Sequence, residues 1–268
     1  MRTFDLESFV KNEIPLEESF HTTNREFEEE LRKRLGKGII GSISHGSFRS
    51  GNHKKSSDID YLILTEDISI DHELKEIAFN LYKKSFVPIE YRPVDIEQAK
   101  IGAHTVSKNF HMMVVNQENP GIVGRNPIKL IKPTKESVKE AALEDMKHYY
   151  SKVKNRYNSR RENHEIAELL INSTTATLLE LAKVNDTGRI NTRSIFEKEN
   201  TYLSNEDKQL IENIYELRRK YDQILDLRSE GPLTQKMISQ HEEIINSTIK
   251  KYEKVSKFIN NSIKELMK

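Results

Sequence analysis

The chain has 268 residues, more than one small hydrophobic core usually fills, so two domains are expected. Charge nearly cancels, with 43 Lys and Arg against 42 Asp and Glu, which argues against a cationic surface that holds long nucleic acid by counterion release. The absence of cysteine excludes disulfide scaffolds, Cys-based zinc sites, iron–sulfur clusters and thiol nucleophiles.

The opening stretch MRTFDLESFVKNEIPLEESF lacks the apolar core and small-residue cleavage site of a secretory signal. No apolar run approaches the ~20 residues needed to span a bilayer. A soluble cytoplasmic protein with no membrane partner is expected. Residues 15–35 then carry Leu16, Phe20, Phe27, Leu31 and Leu35 at helical spacing, with Gly36 placed to end the helix. GIIGSIS (38–44) reads as a buried strand, GSFRSGNHKKSS (46–57) as a polar, basic loop, and DIDYLILT (58–65) as a second strand. Residues 71–85 place Leu74, Ile77, Ala78 and Leu81 on one helical face. FVPIEYR (86–92) is a third strand, at an edge or beginning at Pro88. Residues 101–132 are ambiguous, with Gly121, Gly124, Pro127 and Pro133 marking loops. From Thr134 the pattern is helical, over about 134–157, 164–184, 192–200, 204–229 and 232–267. Six of the seven prolines lie at or before 133. The texture therefore predicts an α+β fold: a domain over 1–133 with a small mixed sheet and helices, then an all-helical domain over 134–268.

Chemistry concentrates in HGSFRSGNHKKSSDIDYLIL, residues 45–64. Residues two apart on a strand share a face, so Asp58 and Asp60 aim their carboxylates together. Convergent carboxylates need a cation between them, and magnesium takes one or two carboxylates along with phosphate oxygens and water. Gly46 lets the backbone approach a phosphate, and the Ser47 hydroxyl has a donor to offer it. Arg49, Lys54 and Lys55 add charge suited to a triphosphate. Glu90, on the third strand, is the candidate third acid and proton acceptor. Asp95 and Glu97 follow so closely that a shifted register would change the choice. Two metal ions clamped by three acids would serve an in-line displacement at phosphorus.

Gly46-Ser47, a ten-residue gap and Asp58-Ile59-Asp60 resemble the defining motif of the polymerase-β-like nucleotidyltransferase superfamily. Within it, the chain resembles the aminoglycoside adenylyltransferases that modify streptomycin and spectinomycin, over roughly residues 36–200. SISHGSFRSGNHKKSSDIDYLIL is similar to that family's metal and triphosphate motif, and PIEYRPV to the strand bearing its third acid. LLELAKVNDTGRINTRSIF is similar to a helix–turn–helix of its C-terminal domain. The resemblance implies a magnesium-dependent transfer of AMP from ATP to a hydroxyl, and hence antibiotic modification. It assigns metal to Asp58, Asp60 and Glu90, and nucleotide contacts to Gly46, Ser47, Arg49 and Ser57. It also implies that the helical domain completes the nucleotide and acceptor sites, with Lys183 and Arg193 holding phosphates. Those two are basic as in the family but exchanged in type.

The sequence departs from the family on the acceptor side. There is no tryptophan, and only Glu165 and Glu168 lie near the family's drug-binding acids. Residues 134–268 carry 24 basic against 22 acidic residues, a poor match for a polycation. The acceptor is therefore either an aminoglycoside-like small molecule or another hydroxyl compound. The alternatives are transfer to tRNA or protein, as in toxin-type enzymes, and a catalytically inactive nucleotide-binding module. The basic stretch from Lys147 to Arg161, interleaved with Tyr149, Tyr150 and Tyr157, speaks for RNA. His45 is expected to be a structural hydrogen bonder, His53 a solvated loop residue, and Phe48 a side chain packed beneath the loop. His104 and His111 fit no zinc spacing. A monomer or a homodimer joined through the last helices is expected.

Overall fold

A computed structural model describes residues 6–100, 121–129, 134–159, 162–184 and 203–268. The chain divides into two compact units. One holds residues 13–137, and the other holds 138–268 together with a first short helix, α1 (Leu6–Lys11).

The first unit is built on a four-stranded mixed sheet. Its strands are β1 (Ile39–His45), β2 (Ile59–Thr65), β3 (Ile89–Asp95) and β4 (Gly121–Gly124), in the order β3-β2-β1-β4. β1 is antiparallel to β2 and to β4, whereas β2 and β3 run parallel. A parallel pair needs a crossover, which helix α4 (Asp71–Ser85) supplies. Phe86, left-handed at φ 57°, ends α4, so the third strand starts after Pro88 and not at 86. β3 is an edge strand, which suits Pro93.

β2 reads as a nearly continuous apolar run because both of its faces are covered. Ile59, Tyr61 and Ile63 pack with Phe20, Phe27 and Leu31 of α2 (Glu17–Lys33) and with Leu74, Ala78 and Leu81 of α4. Leu62 and Leu64 point the other way and cluster with Ile43, Val94, and Ile96 and Ala99 of α5 (Ile96–Lys100). The segment after β1, expected as loop throughout, opens with one helical turn, α3 (Gly46–Arg49). Gly121 and Gly124 bound a strand rather than loops, since β4 pairs with Gly41–Ser44 of β1.

The second unit is helical: α6 (Lys135–Asn158), α7 (Asn163–Val184), α8 (Asn205–Glu230), α9 (Gln235–Ile249) and α10 (Tyr252–Met267). α7 is apolar around most of its circumference and packs against α8, α9 and α10. Ser204 and Asp207 form a reciprocal capping box at the start of α8. Arg228 of α8 is buried and donates to the carbonyls of Phe9, Val10 and Gly231, which ties α1 to this unit. The last expected helix, 232–267, is two. At Lys250–Lys251 ψ rises to near zero, and the Lys251 amide bonds to Thr248, three residues back instead of four, so the chain turns. The segment 192–200 lies outside the described residues. Among them, no helix is long and apolar enough to cross a membrane.

Candidate active site

The sheet register assembles the site. His45 at the end of β1 pairs with Asp60 on β2, and Asp60 pairs with Glu90 on β3. The three residues therefore stand in one row across three strands. Asp58 precedes β2 by one residue and lies two residues before Asp60, on the same face. One carboxylate oxygen from each of Asp58, Asp60 and Glu90 falls within 4.8 Å of the others. All three side chains are half-buried.

Burial pushes the Asp60 carboxyl well above the usual carboxylate range, and the neighbouring charges of Asp58 and Glu90 push it further. Arg92 opposes them. Three acids this close repel one another unless a cation lies among them. Hard oxygen donors at this spacing suit magnesium. Burial, and then the charge of Arg92, lowers His45 to about 3, so its ring is neutral beside the acids. Asp95 leaves the question of the third acid to Glu90: its Oδ1 accepts from the amides of Glu97 and Gln98 and caps α5.

Gly46 follows His45 at φ +75°, and a Cβ there would lie 1.9 Å from Asp60 Oδ2. The position thus requires glycine twice, for its backbone and for the room Asp60 occupies. Ser47 is half-buried, and its hydroxyl makes no hydrogen bond among the described residues. Ser57 is buried, and its Oγ accepts from the Lys54 amide at 2.9 Å, closing the loop's second turn. The Arg49 guanidinium turns into the fold. Its Nη2 lies 3.6 Å from Glu28 Oε1 and close over Gly121, where a Cβ would meet it at 1.8 Å. Phe48 is buried against Phe20, as expected of a residue under the loop. His53 is not solvated: its ring packs on Phe20 and Phe48, and Nε2 lies 2.8 Å from Glu17 Oε1. Two apolar neighbours outweigh the loop's polar composition here.

Residues 24–112 match the family model described as a nucleotidyltransferase domain. This segment is a nucleotidyltransferase domain. The domain contains the whole acid row, the Gly46-Ser47 turn and Arg92. A solved structure of spectinomycin adenyltransferase AAD(9) from Enterococcus faecialis, with ATP and spectinomycin, is similar at 16% identity and a TM-score of 0.49. That alignment covers 92% of this chain and 99% of the other. Among curated proteins, none matches.

Outside the nucleotidyltransferase domain, Lys183 is buried on α7 and paired with Glu180 one turn earlier. Arg193, His104 and His111 lie outside the described residues. In the basic stretch, Tyr157 stacks on Tyr252 with ring centroids 3.5 Å apart, and Arg156 lies 3.6 Å from Glu165. Lys147 and Lys154 are exposed.

Sequence reasoning missed two residues of the nucleotidyltransferase domain. Arg92 had a legible signal, since it alternates with Glu90 on a strand already assigned. Glu28 had none: it meets Arg49 only because α2 packs under α3, twenty-one residues away in the chain.

Proposed function

We propose that this protein is a magnesium-dependent nucleotidyltransferase that moves AMP from ATP to a hydroxyl group of a small molecule. The observation that carries the reading is the close triad of Asp58, Asp60 and Glu90, set in register beside a glycine turn. The motif's resemblance to adenylyltransferases supports ATP as donor. Magnesium, bound by the three carboxylates, would neutralise them and stabilise charge on the phosphate oxygens. Glu90 takes the acceptor's proton as the hydroxyl oxygen bonds to the α-phosphorus. The bond from that phosphorus to the β-phosphate's bridging oxygen breaks, and pyrophosphate leaves. Asp58 and Asp60 hold the reacting groups in line. Gly46 leaves space for Asp60, and Ser47 offers its hydroxyl to a phosphate.

Pyrophosphate release from labelled ATP, with a panel of hydroxyl acceptors, tests the reading. Asp60→Asn and Asp58→Asn are expected to lower turnover at least ~10³-fold, the scale of several kcal/mol of charge stabilisation. Full turnover in either variant would sink the mechanism. Transfer to RNA or lysate protein would move the acceptor to a macromolecule. Lys147 and Lys154 leave that reading open, while the stacking of Tyr157 on Tyr252 removes one of its aromatic platforms.

A further inference from the structure

Arg92 lies two residues past Glu90 on β3, so it stands on the sheet face that carries the acids. It is half-buried. It makes no hydrogen bond or ion pair among the described residues. That is unusual beside three carboxylates, because a guanidinium normally forks onto a neighbouring carboxylate. Its charge is nonetheless felt at His45 and Asp60. With a cation among the acids, their charge is used elsewhere, and Arg92 is left to meet an anion that a ligand brings.

The register says which ligand. Arg92 is level with Leu62 on β2, which is level with Ile43 on β1. Asp60 is level with His45, and Gly46-Ser47 continue from there toward the opposite end. Arg92 and Gly46 therefore lie on opposite sides of the acid row, roughly 10 Å apart along the strands at ~3.3 Å per residue. An in-line displacement puts the leaving and attacking oxygens on opposite sides of the phosphorus. If the leaving phosphates sit at Gly46-Ser47, the acceptor enters from the side of Arg92.

We propose that Arg92 recognises the acceptor, pairing with an anionic group, phosphate or carboxylate, carried close to the reacting hydroxyl. This rests on the nucleotidyltransferase reading and narrows it. The acceptor is an anionic polyol or sugar derivative. A polycationic drug would meet a like charge beside Glu90.

Ligand-observed NMR with glycerol 3-phosphate, D-glycerate, glycerol and streptomycin tests the inference. Each probe is titrated with magnesium, in the presence and absence of a non-hydrolysable ATP analogue. Glycerol 3-phosphate or D-glycerate is expected to bind at least ~10-fold more tightly than glycerol, the usual scale of a charged hydrogen bond. Whichever of the two is favoured identifies the anion. Arg92→Ala should remove the preference, and Arg92→Lys should keep part of it. Affinity for the ATP analogue should change less than ~2-fold, because the phosphate turn lies on the other side of the acids. Equal binding of glycerol, binding of no probe, tighter binding of streptomycin, or a preference that survives Arg92→Ala would each overturn the inference. So would a parallel loss of nucleotide affinity, which would move Arg92 to the triphosphate. Failure of the analogue to bind with magnesium would instead overturn the proposed function, and the titrations without nucleotide would still decide the role of Arg92.

Discussion

At the residue scale, Asp60 shows how a site is assembled against the stability of its fold. Its carboxyl is raised by burial and by two neighbouring acids, so the folded state favours the protonated form. The resulting penalty is absent below the unfolded value near 4, grows as pH rises through the folded value, and is complete above it. Asp60→Asn, measured in EDTA, is therefore expected to raise the melting temperature at neutral pH. The gain should be on the order of 1 kcal/mol, or a few degrees, and should fade toward pH 4. A destabilised variant at pH 7.5 would contradict the electrostatic account. The pair Asp58-Ile59-Asp60 was legible because alternation on a strand is a two-residue rule. Glu90 was legible as the third acid on the next strand, while its place level with Asp60 is set by the β2–β3 register.

At the scale of elements, the parallel pairing of β2 and β3 matters most. A slip of one residue would turn Glu90 to the face that packs on α2 and α4. Sequence periodicity placed α4 at 71–85 and both hairpin strands to within a residue. It opened β3 at Phe86 or at Pro88, and the structure opens it at Ile89 on the sheet edge, because the left-handed Phe86 that stops α4 carries no glycine signal. It also ran α9 and α10 together, since a turn made by two lysines with ψ near zero leaves no mark in composition. Arg228 is another element-scale device, a buried guanidinium satisfied by three carbonyls of α1 and the α8 terminus. Arg228→Met should lower the unfolding free energy by about 2–4 kcal/mol, read from urea denaturation. A loss under ~0.5 kcal/mol would mean that α1 is held by Phe9 packing alone.

At the scale of the whole molecule, a net charge of +1 hides local polarity. The acids of the row share one sheet face, while other charges pair along helices, such as Lys75 with Asp71 and Lys220 with Glu216. Such pairs contribute little to stability. A 30-nucleotide RNA is expected to bind no tighter than about 10⁻⁵ M at 150 mM salt by fluorescence anisotropy, the range of non-specific contact. Submicromolar binding with a steep salt slope would favour a macromolecular acceptor. The α+β organisation followed from the proline distribution and from the change of period after residue 133. Which unit takes in α1 did not, because its partners lie more than two hundred residues away.

The Gly46–Arg49 turn rests on a chain of hydrogen bonds. Tyr61, next to Asp60, donates to Asn24 at 2.6 Å; Asn24 donates to Glu28 at 3.1 Å; and Glu28 faces Arg49, the last residue of α3. The turn that would receive phosphates is thus braced from below before any ligand arrives. Fixing a backbone residue costs roughly 1–2 kcal/mol of conformational entropy, and for these four residues the cost is met by folding. Association with nucleotide should then carry little ordering penalty. Glu28→Gln, which keeps the shape but removes the charge that holds Arg49, should make the binding entropy less favourable in calorimetry while magnesium still binds. If the entropy is unchanged, the turn is rigid for another reason.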